Sequence, residues 1–187
     1  ASPLSEKVGT VKKLEEAGIA AIVMYSLFEE QVIHESLELD HFLSYGSESS
    51  AEIDSFYPQS GNFTLKAAAY IETLKKIKQA VNIPVIGSLN GVSTGGWIKY
   101  SKIMEDAGAD ALELNLYFLP TDPALTGTQI EENYITLVND VRNSIKIPLA
   151  VKLSPFFTAI PNIAKRLVEA GANGLVLFNR FYQPDLD

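Results

Sequence analysis

Lys152 is the one charged residue in the run Leu149-Ala-Val-Lys-Leu153, and Asn115 sits between leucines in Leu112-Glu-Leu-Asn-Leu116. An amine closing an apolar segment can act as a fixed cation beside developing negative charge or, when neutral, as a nucleophile that forms a Schiff base. Its structural alternative is a stem packed on the segment with the ammonium snorkelling to the rim. An unpaired buried amide costs about 1–3 kcal/mol, so Asn115 must have a partner, either a ligand or a neighbouring side chain. Asn90 and Asn179 close two further apolar runs. Their amides both donate and accept, and each also suits a turn, which for Asn90 is the favoured reading. With no cysteine, thiolate nucleophiles, disulfides and Cys-ligated metals are excluded, and the two histidines, His34 and His41, are too few for most metal sites.

Two boundary signals alternate along the chain and fix the elements that carry these residues. Ala17-Gly18, Ala107-Gly108 and Ala170-Gly171 each end a stretch of amphipathic helical pattern, and an apolar run follows each: Ile19 to Tyr25, Ala111 to Leu116, and Leu175 to Phe178. Glycine there predicts a left-handed helix C-cap. Ile83-Pro84 and Ile147-Pro148 block a preceding helix and lead into Val85 to Leu89 and Leu149 to Leu153. Near-continuous apolar runs predict strands buried on both faces, hence a parallel sheet with helical crossovers. The helices are expected near 5–17, 65–80, 94–107, 129–145 and 159–170, with Ser5, Thr94 and Thr128 as caps.

The signals recur at one spacing, 64 residues from Pro84 to Pro148 and 63 from Gly108 to Gly171. That is a βαβα repeat, more natural in a closed ring than in an open doubly wound sheet. The expectation is therefore an α/β fold, a TIM (β/α)8 barrel with about five to six of its eight strands present, Ala1 to Leu4 being the tail of the sixth. The 90 residues from Gly18 to Gly108 exceed the repeat, and the excess falls in a polar insertion at about 29–62, on the face where barrel active sites lie. Residues 1–187 are read as a single partial barrel domain.

At 187 residues and 47% hydrophobic content the chain can bury one sizeable core. Its 23 acidic and 15 basic side chains give a net charge of −8 with no basic stripe, which argues against nucleic acid. The longest apolar stretch, Ala17 to Tyr25, is far short of a bilayer span, and Ser5 to Lys13 is too polar for a signal peptide. A soluble, cytoplasmic protein with a small-molecule substrate and no membrane partner is expected, and a homodimer stays open.

Tyr25 to Gln31, Ser88 to Gly91, Leu112 to Leu116, Val151 to Pro155 and Leu177 to Arg180, in this order and spacing, resemble the strand ends of dihydroorotate dehydrogenases. The similarity is greater to the dihydroorotate dehydrogenase-like proteins of bacteria and runs from Ala1 to Asp187. It implies an FMN-dependent oxidoreductase acting on a dihydropyrimidine-like or other small substrate. It also implies that Ala1, Ser2, Asn90, Asn115 and Lys152 face the flavin, and that Tyr25, Asn115 and Asn179 face the substrate. Lys152 suits a flavin that accepts a hydride, because negative charge then builds near the ring's N1 and C2 carbonyl.

The resemblance breaks where those enzymes remove a proton from the substrate. They follow the asparagine with Leu-Ser-Cys-Pro-Asn or a serine version of it, whereas this chain has Tyr117 and Phe118 in the places of the Ser and the base, and neither is a base at neutral pH. Tyr25 replaces the lysine that holds the substrate carboxylate. Thr121 and Asp122 are the remaining candidates for the base, although Asp122 before Pro123 is more often a turn former. His34 and His41 lie in the insertion, where solvated loop positions are favoured over a lid. Gly91, Gly95 and Gly96 fit a helix start better than a phosphate loop. The family's phosphate loops follow its last two strands, which this sequence lacks, so weak or no FMN binding by the chain alone is expected. The competing readings are a barrel aldolase or lyase with a Schiff base on Lys152, and a degenerate non-catalytic barrel.

Overall fold

A computed structural model describes residues 2–32, 65–91, 93–117 and 120–179. Ala1, His34, His41, Phe118 and the expected insertion from residue 33 onward lie outside the described residues. Five parallel strands, β1 (Ile22–Phe28), β2 (Val85–Asn90), β3 (Ala111–Leu116), β4 (Leu149–Leu153) and β5 (Gly174–Leu177), form one sheet in the order β1-β2-β3-β4-β5. The helices are α1 (Val8–Glu16), α2 (Leu65–Ala80), α3 (Thr94–Asp106), α4 (Gly127–Ser144) and α5 (Ile160–Glu169). A strand order identical to chain order is an arc of a singly wound barrel. A doubly wound sheet reverses its order at a switch point, and none occurs among the described strands.

The three expected glycine caps are present, with φ of 92°, 93° and 109° at Gly18, Gly108 and Gly171. Each is a complete Schellman motif. The glycine N–H bonds to Glu15, Glu105 or Val168, and the next N–H, of Ile19, Ala109 or Ala172, bonds to Leu14, Met104 or Leu167. The repeat also extends to side chains at the bottom of the sheet. Asp110 and Asn173, each just before a strand, accept from the first N–H of the preceding strand, Val85 at 2.6 Å and Leu149 at 2.9 Å. Glu15 and Glu105 accept the backbone N–H of Asn82, and of Lys146 and Ile147, in the two Ile-Pro approaches.

Val85, Leu89, Leu112, Leu114, Leu149, Val151 and Leu153 are fully buried on the helix side, each contributing about 1.5–3 kcal/mol. That side is tight enough that a Cβ at Gly87 would meet the Met104 sulfur of α3 at 2.9 Å. The opposite, inward side of the strands carries Ile86, Ala111, Ala150 and Val176, all half-buried.

Several sequence expectations need correction. Ala1 to Leu4 supplies no strand among the described residues, because Pro3–Glu6 is a 3-10 turn capped by Ser2. β1 starts at Ile22 rather than Ile19, since Ile19 is spent closing the Schellman motif. The caps are Ser93 and Thr126, the second with a capping box to Gln129, rather than Thr94 and Thr128, and α1 starts after Lys7 with no side-chain cap. Ser5 is instead buried and binds strand backbone. No described helix is long and apolar enough to cross a membrane.

Candidate functional site

Register pairs place inward-facing side chains in layers. Ser26, Ser88, Glu113 and Ala150 form one layer; Asn115 and Lys152 are register partners in the next, toward the C-terminal ends. Barrel interiors are usually filled by branched apolar residues; here they give way to polar ones.

A bulge makes this layer possible. Between Val23 and Ser26 β1 carries one residue more than β2, which sets Ser26 opposite Ser88. Tyr70 of α2 reaches the same point: its hydroxyl accepts from Ser88 N–H at 3.0 Å and donates to the Ser88 carbonyl at 3.4 Å. The N–H of Tyr25, in the bulge, donates to Ser5 Oγ at 2.6 Å, and the Tyr25 ring packs edge-on against Tyr70. Burial pushes both phenols upward from their usual value, Tyr70 far more than Tyr25, with the bond to the Ser88 backbone opposing the shift in Tyr70.

Asn115, 5% exposed, has its partners in the protein: Nδ2 reaches Ser88 Oγ at 3.0 Å, Ser26 Oγ at 3.3 Å and the Leu89 carbonyl at 3.3 Å. A carbonyl can only accept, so the Leu89 contact fixes which end of the amide points inward. The Asn115 carbonyl is left for the cavity. Beside it, the Lys152 ammonium lies 3.6 Å from the carboxylate of Glu113, which is itself 4% exposed.

Ser2, Tyr25, Asn90, Asn115, Lys152 and Asn179 all line a single open cavity of about 920 Å³ at the C-terminal ends of the strands, with Phe28, Tyr117 and Phe178 among its other walls. Asn179 is held there by its own N–H on the Leu153 carbonyl at 2.7 Å. Asn90 Oδ1 and the Tyr117 hydroxyl are buried with no partner among the described residues. Thr121 and Asp122 are not part of this site. Both are exposed, and Asp122 Oδ1 accepts from Ala124 N–H at 2.9 Å, the turn that Pro123 favours.

The glycines before α3 are a helix start. Ser93 caps the helix, a side chain at Gly91 would collide with Trp97, and one at Gly96 would collide with the buried carboxylate of Glu29. Glu29 accepts from Ser93 N–H and Oγ at 3.0 and 2.5 Å, so the positive end of α3 already holds an anion.

Ser26, Ser88, Glu113, Tyr70 and Glu29 are the residues that sequence reasoning missed. Leu112 to Leu116 alternates strictly, so Glu113 shares a face with Asn115, and that pattern was the available signal.

Fold and site together define a parallel β/α barrel arc with a polar cleft at the ends of its strands. No protein-family model matches the chain. In sequence it is 29% identical over 178 residues to the catalytic subunit of dihydroorotate dehydrogenase B (NAD(+)) of Thermoplasma volcanium, which covers 92% of this chain and 54% of that protein. It is 30% identical over 119 residues to dihydroorotate dehydrogenase A (fumarate) of Lacticaseibacillus paracasei, covering 58% and 38%. The chain is a homologue of the dihydroorotate dehydrogenases, and it spans about half or less of the length of these relatives. Among solved structures, dihydrodipicolinate synthase of Agrobacterium tumefaciens superposes with a TM-score of 0.56 at 14% identity, covering 92% of this chain and 48% of that one. N-acetylneuraminate lyase of Mycoplasma synoviae gives 0.52 at 12%, covering 92% and 46%. At such identities the likeness shows the shared barrel architecture alone.

Proposed function

We propose that this chain carries the ring-binding side of an FMN site in a flavin-dependent oxidoreductase that acts on a dihydropyrimidine-like or similar small molecule. The observation that carries the reading is the pairing of Lys152 and Asn115 on adjacent strands, a cation beside an amide carbonyl at one wall of the cavity. This donor set fits the edge of a flavin ring, where a carbonyl adjoins an N–H. When bound, FMN would supply hydride transfer. Lys152 would stabilise negative charge at the ring edge, Asn115 would accept the ring N–H, and Asn90 and Asn179 would border the ring or the substrate stacked on it. Phe28 and Phe178, 40% and 39% exposed, offer apolar surface to the same space. The cofactor phosphate has no place at the start of α3, where Glu29 sits. The Glu113 carboxylate 3.6 Å from Lys152 suits a fixed cation at that wall better than a Schiff-base nucleophile.

Riboflavin and FMN titrated into the chain, with flavin fluorescence as the readout, test this. Quenching by riboflavin at submillimolar concentration, with FMN bound no more tightly, and a loss of about tenfold, or ~1.4 kcal/mol, in Lys152→Met or Asn115→Ala, is expected. No quenching by riboflavin, which needs no phosphate site, or the same quenching in the variants, would overturn the reading.

A further inference from the structure

Glu113 was not among the residues that the sequence singled out, yet it is the most buried charge on the inward face, at 4% exposure. A carboxylate in that position is costly unless it is paired and hydrogen-bonded. Its Oε1 receives two groups: the Lys152 ammonium at 3.6 Å and the Ser88 hydroxyl at 3.4 Å. Lys152 is also sheltered, its side chain 16% exposed, and no other acceptor for its ammonium is found among the described residues.

Beneath this pair, Ser88 Oγ lies 2.9 Å from Ser26 Oγ and accepts from Asn115 Nδ2 at 3.0 Å, so its longer contact to Glu113 is the weakest of the three and the ion pair with Lys152 is the main partner of the carboxylate.

We propose that Glu113 is a positioning residue that holds the Lys152 ammonium against the wall of the cavity. Its relevance to catalysis rests on the reading of Lys152 and Asn115 as flavin-facing. The contact itself does not, so the test uses no flavin.

Acetylation of Lys152 by an N-hydroxysuccinimide ester at fixed pH, followed by peptide mass spectrometry, reports how firmly the ammonium is held. Lys165, with a side chain 76% exposed, serves as internal reference. In Glu113→Gln the Lys152 rate relative to Lys165 is expected to rise about tenfold, the factor equivalent to ~1.4 kcal/mol. Glu113→Asp, with the charge kept but drawn back, should fall between, and Ser88→Ala, which leaves the ion pair in place, should match the wild type. An unchanged rate in a folded Glu113→Gln overturns the proposal. So does an equal rise in all three variants, which would report general loosening. If the glutamine variant does not fold, Glu113→Asp decides alone: a rise of about twofold or more supports the proposal, and no rise overturns it. A labelling pattern as expected, with no flavin binding by the wild type, would keep Glu113 as the holder of Lys152 and defeat the flavin reading instead.

Discussion

Replacing Tyr70 by phenylalanine removes one oxygen from the deepest point of the β1 bulge and leaves the rest of the ring in place. Tyr70 is 1% exposed, and its hydroxyl serves the Ser88 N–H at 3.0 Å, a full hydrogen bond. The reverse contact, to the Ser88 carbonyl at 3.4 Å, is too long to count for much. The loss is therefore one buried N–H without an acceptor, about 1–3 kcal/mol. Urea unfolding of Tyr70→Phe should show that decrease through a lower midpoint with an unchanged slope, because the surface exposed on unfolding stays the same. The Ser88 amide should also lose hydrogen-exchange protection, while amides of β4 keep theirs. A pH signature accompanies this. Burial raises the folded-state value of the Tyr70 phenol above its usual 10.0, so its contribution is complete below pH 10 and declines as pH rises beyond that. Wild type and variant should thus converge in strongly alkaline solution. A Tyr70→Phe protein within about 0.5 kcal/mol of wild type, with Ser88 still protected, would refute the role given to Tyr70, since it would mean that another group satisfies Ser88.

Gly171→Ala should destabilise more than Gly108→Ala. Both force a left-handed conformation on alanine, about 1–2 kcal/mol, but the Gly108 site is open, whereas a Cβ at Gly171 meets the Arg142 stem, whose guanidinium binds the Ile145 and Ile147 carbonyls. Thermal unfolding of the pair checks the order, and equal losses would contradict it. Asp110→Asn should cost less than about 1 kcal/mol at neutral pH, because the site is partly exposed and Asn173 already makes the equivalent strand bond with an amide. Burial works to raise the Asp110 carboxyl, but the Lys78 ammonium and the Val85 N–H outweigh it and hold the carboxyl below its usual 3.8. The stabilisation is therefore present above pH 3.8 and lost as pH falls through the lower folded value. Stability measured against pH should show the small gap between wild type and Asp110→Asn closing in acid.

The strands were legible because two local signals, a left-handed glycine and a proline, mark where helices must stop. Cap residues were off by one or two positions where hydroxyls cluster: Ser93 stands next to Thr94, and Thr126 and Thr128 flank Gly127, so composition alone cannot choose between them. That Lys152, Asn115, Asn90 and Asn179 line one cavity was legible since each lies at or near the end of a strand, and strand ends share one face of a barrel. Glu113 and Ser88 lie one layer deeper, inside runs read as continuously apolar when the strands in fact alternate. Tyr70 and Glu29 had no local signal. Each acts on a partner far along the chain, Ser88 for one and the start of α3 for the other, and only the bulge and the helix packing bring them together.

The strictly sequential strand order bears on how the chain is made as well as on how it is held. Among the described residues, every strand pairs only with the strands before and after it in sequence. During synthesis from the N-terminus, each new strand therefore finds its partner already formed and adds at a single growing edge. Successive strand pairs keep their contacts at modest sequence separation, which speeds folding compared with sheets whose strands must wait for distant partners. The widest interval falls between β1 and β2. The first pairing, the one that contains the bulge and Ser26, should then be the slowest to close and the one on which the polar wall of the cavity waits.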